Sequence, residues 1–209
     1  WGGEVFWGSP GNWKRIASLA PMKLQGGNKV PYQPWRSAAA LAWETSFTEV
    51  DLTHFDPEHL SFKAWKNELN CYFSSSMGRL FDAAAFACCE QSEVSYEGQA
   101  PMMLESVAST PSKIVPLSLI QKSDDFILMD WRTMVPDLFD KTVPAQIRAA
   151  NFHASLIETA WELTQRCRKK YDFKHIGLAG GVFQNRILCD GLAERFAQSD
   201  IPVVIPSSL

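Results

Sequence analysis

No stretch of the 209 residues approaches the roughly 20 consecutive apolar positions that a membrane-spanning helix needs, so a helical membrane protein is excluded. The given residues carry no signal-peptide or lipidation motif. The five cysteines are odd in number and lack C-x-x-C spacing, and Cys88 and Cys89 are neighbours, a poor geometry for a mutual disulfide. They read as reduced, mostly buried thiols, so a cytoplasmic location is expected and a structural zinc site is not. Surplus charge is also missing: a net charge of −3 argues against a nucleic-acid-binding surface as the main business. No G-x-S-x-G elbow occurs, and His153 has no evident acidic orienter, which disfavours a Ser or Cys hydrolase. Internal repeats and low-complexity segments are absent too.

What is present is a globular composition, 46% apolar with eight tryptophans and thirteen phenylalanines, enough for one large domain or two small ones. Strands are expected near 3–7 and 15–19, then a Gly/Pro loop through Gly26-Gly27-Asn28 and Pro31. An alanine-rich helix follows over about 35–43, and Pro57 opens a second one to about 69. His54 and His59 flank that start and read as surface residues. Ser74-Ser75-Ser76 offers N-cap candidates for a helix whose Met77, Leu80, Phe81, Ala84, Ala85 and Cys88 form one packed stripe. A short helix through Met103, Leu104 and Val107, antiparallel strands at 114–120 and 125–130, and a helix at 131–139 come next. The longest helix starts at Pro144 and buries Ala149, Phe152, Leu156, Ala160, Leu163 and Cys167. The final unit, strand 175–179, helix 185–197 and strand 201–205, is a βαβ arrangement and demands a parallel pair.

Two small-residue corners stand out. Gly180 and Gly181 precede a helix opening near Asn185, where free backbone amides and the helix dipole favour an anion such as a nucleotide phosphate. An ordinary strand-to-helix turn accounts for the same residues equally well. Gly78 and Asp82 lie one helical turn apart, so that a glycine permitting close approach stands beside a carboxylate able to accept ribose hydroxyls. A solvated aspartate on a helix flank is the commoner fate of such a residue. Glu97 and Gly98 sit at a helix entrance, serving a ligand or merely a cap. His153 reads as a satisfied, half-buried histidine more readily than as a catalyst.

Several stretches taken together resemble one family. They are Trp1-Gly2-Gly3-Glu4, Pro34-Trp35-Arg36, Ser75-Ser76-Met77-Gly78-Arg79-Leu80-Phe81-Asp82, Ser95-Tyr96-Glu97-Gly98-Gln99-Ala100, Phe152-His153 and Gly180-Gly181-Val182-Phe183-Gln184-Asn185. In order and over nearly the whole chain, they resemble the carboxy-terminal region of the HypF carbamoyltransferases of [NiFe]-hydrogenase maturation. The resemblance implies an α/β (by some schemes α+β) fold of the ASKHA, actin-like and ribonuclease-H-like, two-lobe type. Residues 1–110 would form a mostly helical first part, and residues 111–209 a second lobe with a β-hairpin and a βαβ unit.

The resemblance further implies that Gly78 and Asp82 meet the ribose of a nucleotide, that Glu97 helps close that side, and that Gly180, Gly181 and Asn185 embrace it from the other lobe. No catalytic residue is assigned. The implied reaction passes the carbamoyl group of carbamoyl-adenylate, made from ATP and carbamoyl phosphate, to the carboxy-terminal cysteine of HypE. Acylphosphatase-like, zinc-finger and YrdC-like domains would be the other parts of the parent. The family's H-H-x-H motif is absent, its D-G-G motif would lie beyond residue 209, and Asn28 and Gln33 replace acidic residues. A divalent metal is therefore expected only in the complete domain, and none within these residues. The chain opens without an initiator methionine, and the expectation is an inactive piece of a longer protein with one lobe incomplete and a sheet edge uncovered. The alternatives are a relative acting on a small-molecule hydroxyl and a non-catalytic partner-docking module using the aromatic-rich first 45 residues.

Overall fold

The computed structural model describes residues 2–47, 60–197, 199 and 201–204; His54, His59 and Pro57 lie outside them. The chain opens on a hairpin, β1 (Glu4–Ser9) and β2 (Asn12–Leu19), turned at Pro10-Gly11. A later hairpin, β5 (Ser118–Ser123) and β6 (Phe126–Asp130), completes a four-stranded sheet in the order β1-β2-β6-β5. Strands β2 and β6 run parallel, Ala17 opposite Ile127. Parallel neighbours need a long crossover, and helices α1 to α4 lie inside this one. The sheet takes two strands from each side of residue 110.

That crossover also holds a small antiparallel pair, β3 (Met22–Gln25) and β4 (Cys71–Ser74). Helix α1 (Pro34–Thr45) starts on a proline, whose missing N–H costs nothing at that position. Ala38, Ala39 and Ala40 on α1 and Ala83, Ala84 and Ala85 on α3 (Met77–Cys89) are fully buried, and these small residues let the two helices pack closely. A short α2 (Leu60–Lys66) precedes β4, and α4 (Gln99–Val107) packs on α3. Near the sheet, Trp131 is fully buried and its indole N–H donates to the Ala20 carbonyl at 2.9 Å.

After a short α5 (Val135–Phe139) comes α6 (Ala145–Arg168), which buries Ala149, Phe152, Leu156, Leu163 and Cys167 of its apolar line and leaves Ala160 half-buried. A second, polar line on α6 was not anticipated. Asn151, Ser155 and Thr159, four apart, accept backbone N–H groups of the extended segment before β5: Ser112 at 2.8 Å, Val115 at 2.9 Å and Leu117 at 2.8 Å. The strand-poor segment is thereby satisfied without a sheet partner. Finally, β7 (Ile176–Gly177) and β8 (Val203–Val204) run parallel around α7 (Arg186–Ala197), the expected βαβ unit.

Candidate functional site

The first corner is built where the amino-terminal strand meets the start of α3. A Cβ on Gly3 would stand 2.6 Å from the Ser75 carbonyl, and one on Gly2, at φ 141°, only 3.2 Å from Ser76 Cα. Glu4 then accepts from the hydroxyls of Ser75 and Ser18 and pairs with Arg15. These contacts account for the Gly-Gly-Glu pattern: two residues without side chains allow close approach, and a buried carboxylate ties β1 to residues 75–76.

Helix α3 begins at Met77, with Ser76 at the N-cap position but no side-chain cap bond. Gly78 in its first turn faces open space, since an added Cβ would meet only Ser76 Oγ at 3.4 Å. Arg79 and Asp82, three residues apart, share one face. Their side chains are 7% and 1% exposed, so the solvated aspartate is not what forms. Arg79 Nη2 lies 3.1 Å from Asp82 Oδ2 and donates to Glu97 Oε1 at 3.1 Å. Even so, both Asp82 oxygens and Arg79 Nη1 are buried without a hydrogen bond, because the approach to Asp82 is close but poorly angled. Burial pushes the Asp82 carboxyl up to about 7; Arg79 opposes the shift and Glu97 adds to it. Tyr72 on β4 feels the same three charges, and burial raises its phenol. Its place in this corner was not foreseen, because β4 itself carried no clear signal.

Gln33 links Arg36 (2.6 Å) to Glu93 (2.9 Å) just before the Glu97 segment.

The second corner follows β7. Gly180 sits at φ 110°, ψ 160°, a conformation essentially restricted to glycine. Gly181–Gln184 makes a single 3-10 turn, and Asn185 is 7% exposed. Nothing lies within 4 Å of a Cβ added to Gly180 or Gly181, so both present bare backbone to open space. The helix start itself is differently used than anticipated. Arg186 N–H donates to Glu105 of α4 at 2.9 Å, and Leu188 N–H to Asn185 Oδ1 at 2.9 Å. Protein oxygens therefore occupy two amides of the first turn, and the exposed surface is the glycine turn.

A polar relay supports the second corner and packs against the helix that carries the first. His153 Nδ1 donates to the Ala149 carbonyl at 2.8 Å, which leaves Nε2 to accept from Asn185 Nδ2 at 3.0 Å. The ring is fully buried rather than half-buried, and burial lowers its pKa. Its neighbour across the interface is Phe81, ring centres 5.5 Å apart, next in sequence to Asp82. Helix α4 is a second link: Glu97, just before it, holds Arg79, and Glu105 near its far end holds Arg186. The six rises from Gln99 to Glu105 measure about 9 Å along α4.

Two concavities lie elsewhere, one of about 390 Å³ lined by Phe196, Ile201 and Pro202 and one of about 380 Å³ lined by Gln25, Lys63 and Leu69. Neither includes a corner residue. Among the described residues no group of three His, Cys, Asp or Glu side chains is placed to hold a metal ion. No described helix is long and apolar enough to cross a membrane.

Comparison with known proteins adds an independent line. Residues 1–209 match the family described as "Carbamoyltransferase, Kae1-like Domain, second subdomain". The chain is 31% identical to a carbamoyltransferase HypF homolog of Cupriavidus necator, over 97% of its own length and 56% of the relative's. It is 29% identical to carbamoyltransferase HypF of Rhizobium leguminosarum, over 100% of its length and 28% of that protein's. It therefore spans about half of one such relative and little more than a quarter of the other. A crystal structure of full-length HypF in a phosphate- and nucleotide-bound form superposes with a TM-score of 0.87 at 27% identity, over 98% of this chain and 28% of that one.

Proposed function

The chain belongs to the Kae1-like carbamoyltransferase domain family, and from that premise we propose that it carries the nucleotide-holding surface of a carbamoyl transfer. One observation bears most of the weight. Asp82 presents two buried oxygens with no hydrogen bond, beside a glycine facing open space. Buried acceptors of this kind are costly unless something fills them, and the vicinal hydroxyls of a ribose supply two donors. Arg79 Nη1, also buried and unpartnered, would be the donor to a sugar oxygen. Glu97 holds Arg79 in that position. Gly180 and Gly181 would offer bare backbone from the second corner, and Asn185 orders their turn. That a related HypF was crystallised with nucleotide bound supports the assignment.

The substrate proposed is carbamoyl-adenylate, and the acceptor is the carboxy-terminal cysteine of HypE. The thiolate sulfur would attack the carbamoyl carbon, the carbon–oxygen bond to the phosphate would break, and AMP would leave with the bonding pair. Adenylate is a good leaving group, so holding it in line contributes most of what the chain must do. A metal-binding set is not among the described residues, and no step here runs through one. The remaining domains of the longer relatives would make the adenylate.

Calorimetry with AMP tests the reading at about pH 8, above the Asp82 transition. The chain should bind, and Asp82→Ala should bind about tenfold more weakly, the worth of one charge-assisted hydrogen bond. Equal affinities, or no binding at millimolar AMP, would overturn it.

A further inference from the structure

His153 and Asn185 lie 32 positions apart, and each has its polar atoms assigned by the other's surroundings. The Ala149 carbonyl can only accept, so the His153 proton must sit on Nδ1 and Nε2 must be an acceptor. The Asn185 group facing it must then be the NH₂, which turns Oδ1 toward the Leu188 amide. A rotated Asn185 would set its oxygen against the His153 lone pair and leave Leu188 N–H without a partner. The histidine thus selects one of two orientations for the residue that closes the Gly180–Gln184 turn and starts α7. Phe81 and Phe152 hold the ring edge-on, at 5.5 and 5.7 Å between centres, so it cannot swing away. Of the charged groups nearby, Glu105 on α4 acts on the ring, and it also holds the Arg186 amide.

We infer that His153 is a positioning residue: through Asn185 it sets the conformation of the Gly180–Gly181 turn, and through Phe81 it keys that turn to the helix carrying Asp82. The link to ligand binding rests on the nucleotide reading above; the link to the turn does not. His153 touches no reacting atom.

Two variants separate the lone pair from the packing. His153→Phe keeps a ring against Phe81 and Phe152 but has no acceptor. His153→Gln places an amide oxygen near the Nε2 position and can accept from Asn185. Amide hydrogen exchange on the nucleotide-free chain is the first readout, with Ala17 and Ile127 in the β2–β6 ladder as internal controls. Losing the ordered cap should lower Leu188 protection about tenfold in His153→Phe, while His153→Gln stays within about threefold of the original; tenfold is about 1.4 kcal/mol, within the usual worth of an N-cap. Unchanged Leu188 protection in His153→Phe, or an equal fall in both variants, would overturn the inference. Should His153→Phe lose the control amides as well, His153→Gln decides alone, by the same threefold and tenfold outcomes. AMP affinity is the second readout and should follow the same order. If AMP binds the original chain and His153→Phe equally well, the coupling to the ligand is overturned. If AMP binds none of them, the nucleotide reading fails while the exchange data still decide the role in the turn.

Discussion

Arg79 reaches within 3.1 Å of Asp82 and still leaves both carboxylate oxygens without a hydrogen bond. A pair made for stability alone would align the guanidinium fork with the carboxylate. Here the fork is shared with Glu97, and Asp82 is held half-neutral at physiological pH, its pKa lifted to about 7 mainly by burial.

Stability should carry the mark of that lifted pKa. Between about pH 4 and about 7 the folded protein keeps a proton on Asp82 that the unfolded chain releases, so this contribution is full at low pH and lost as pH rises through 7. Chemical denaturation of the original chain and Asp82→Asn should therefore show a stability difference shifting against the original by about 1.4 kcal/mol per pH unit in that window, and flat above it. A parallel pH dependence in the two proteins would contradict the assignment.

Nucleotide binding should show the opposite trend. A carboxylate accepting two hydroxyls is favoured ionised, so AMP affinity should rise as pH climbs through about 7 and binding should release a proton below that point. Calorimetry in two buffers of different ionisation heat reads the proton directly. No released proton at pH 6 would place the ligand away from Asp82.

Gly78→Ala should separate folding from function. The added methyl meets only Ser76 Oγ at 3.4 Å, and alanine is the better helix former, so stability should rise by about 0.5–1 kcal/mol. AMP affinity should fall nonetheless, because the methyl would occupy the face proposed for the ligand. Thermal melts and calorimetry on one preparation give both signs.

The second corner predicts a contrast between neighbours. Gly180→Ala forces a side chain into φ 110°, ψ 160° and should cost about 1–3 kcal/mol. Gly181→Ala meets open space without that strain and should leave stability within about 0.5 kcal/mol while weakening AMP binding. Denaturant unfolding and an AMP titration distinguish the two.

Where periodicity was long, the fold could be read from residues. The stripe from Met77 to Cys88, the apolar line of α6 and the terminal βαβ unit all form as their spacing dictates. Strands β3 and β4 could not be read, because four residues each, such as Cys71-Tyr72-Phe73-Ser74, are too few to show a period. The line Asn151, Ser155 and Thr159 was visible as a spacing, but its partners are backbone amides some forty positions earlier.

The two candidate corners were visible in their glycines, but the burial around them was not. Asp82 looks like a helix-flank aspartate until Glu97, fifteen positions later, is seen holding Arg79 over it. His153 looked half-buried because Phe81 and Asn185, both remote in sequence, complete its surroundings. The helix start at Arg186 invited an anion, and Glu105 supplies one from within the chain. Such outcomes depend on tertiary neighbours that no local window contains.

Backbone amide NMR of the chain titrated with AMP examines the two corners together. Residues 78–82 and residues 180–181 should shift along one shared saturation curve, since a single ligand is meant to touch both. Shifts confined to one corner, or two curves with different midpoints, would mean that the corners do not hold the same molecule.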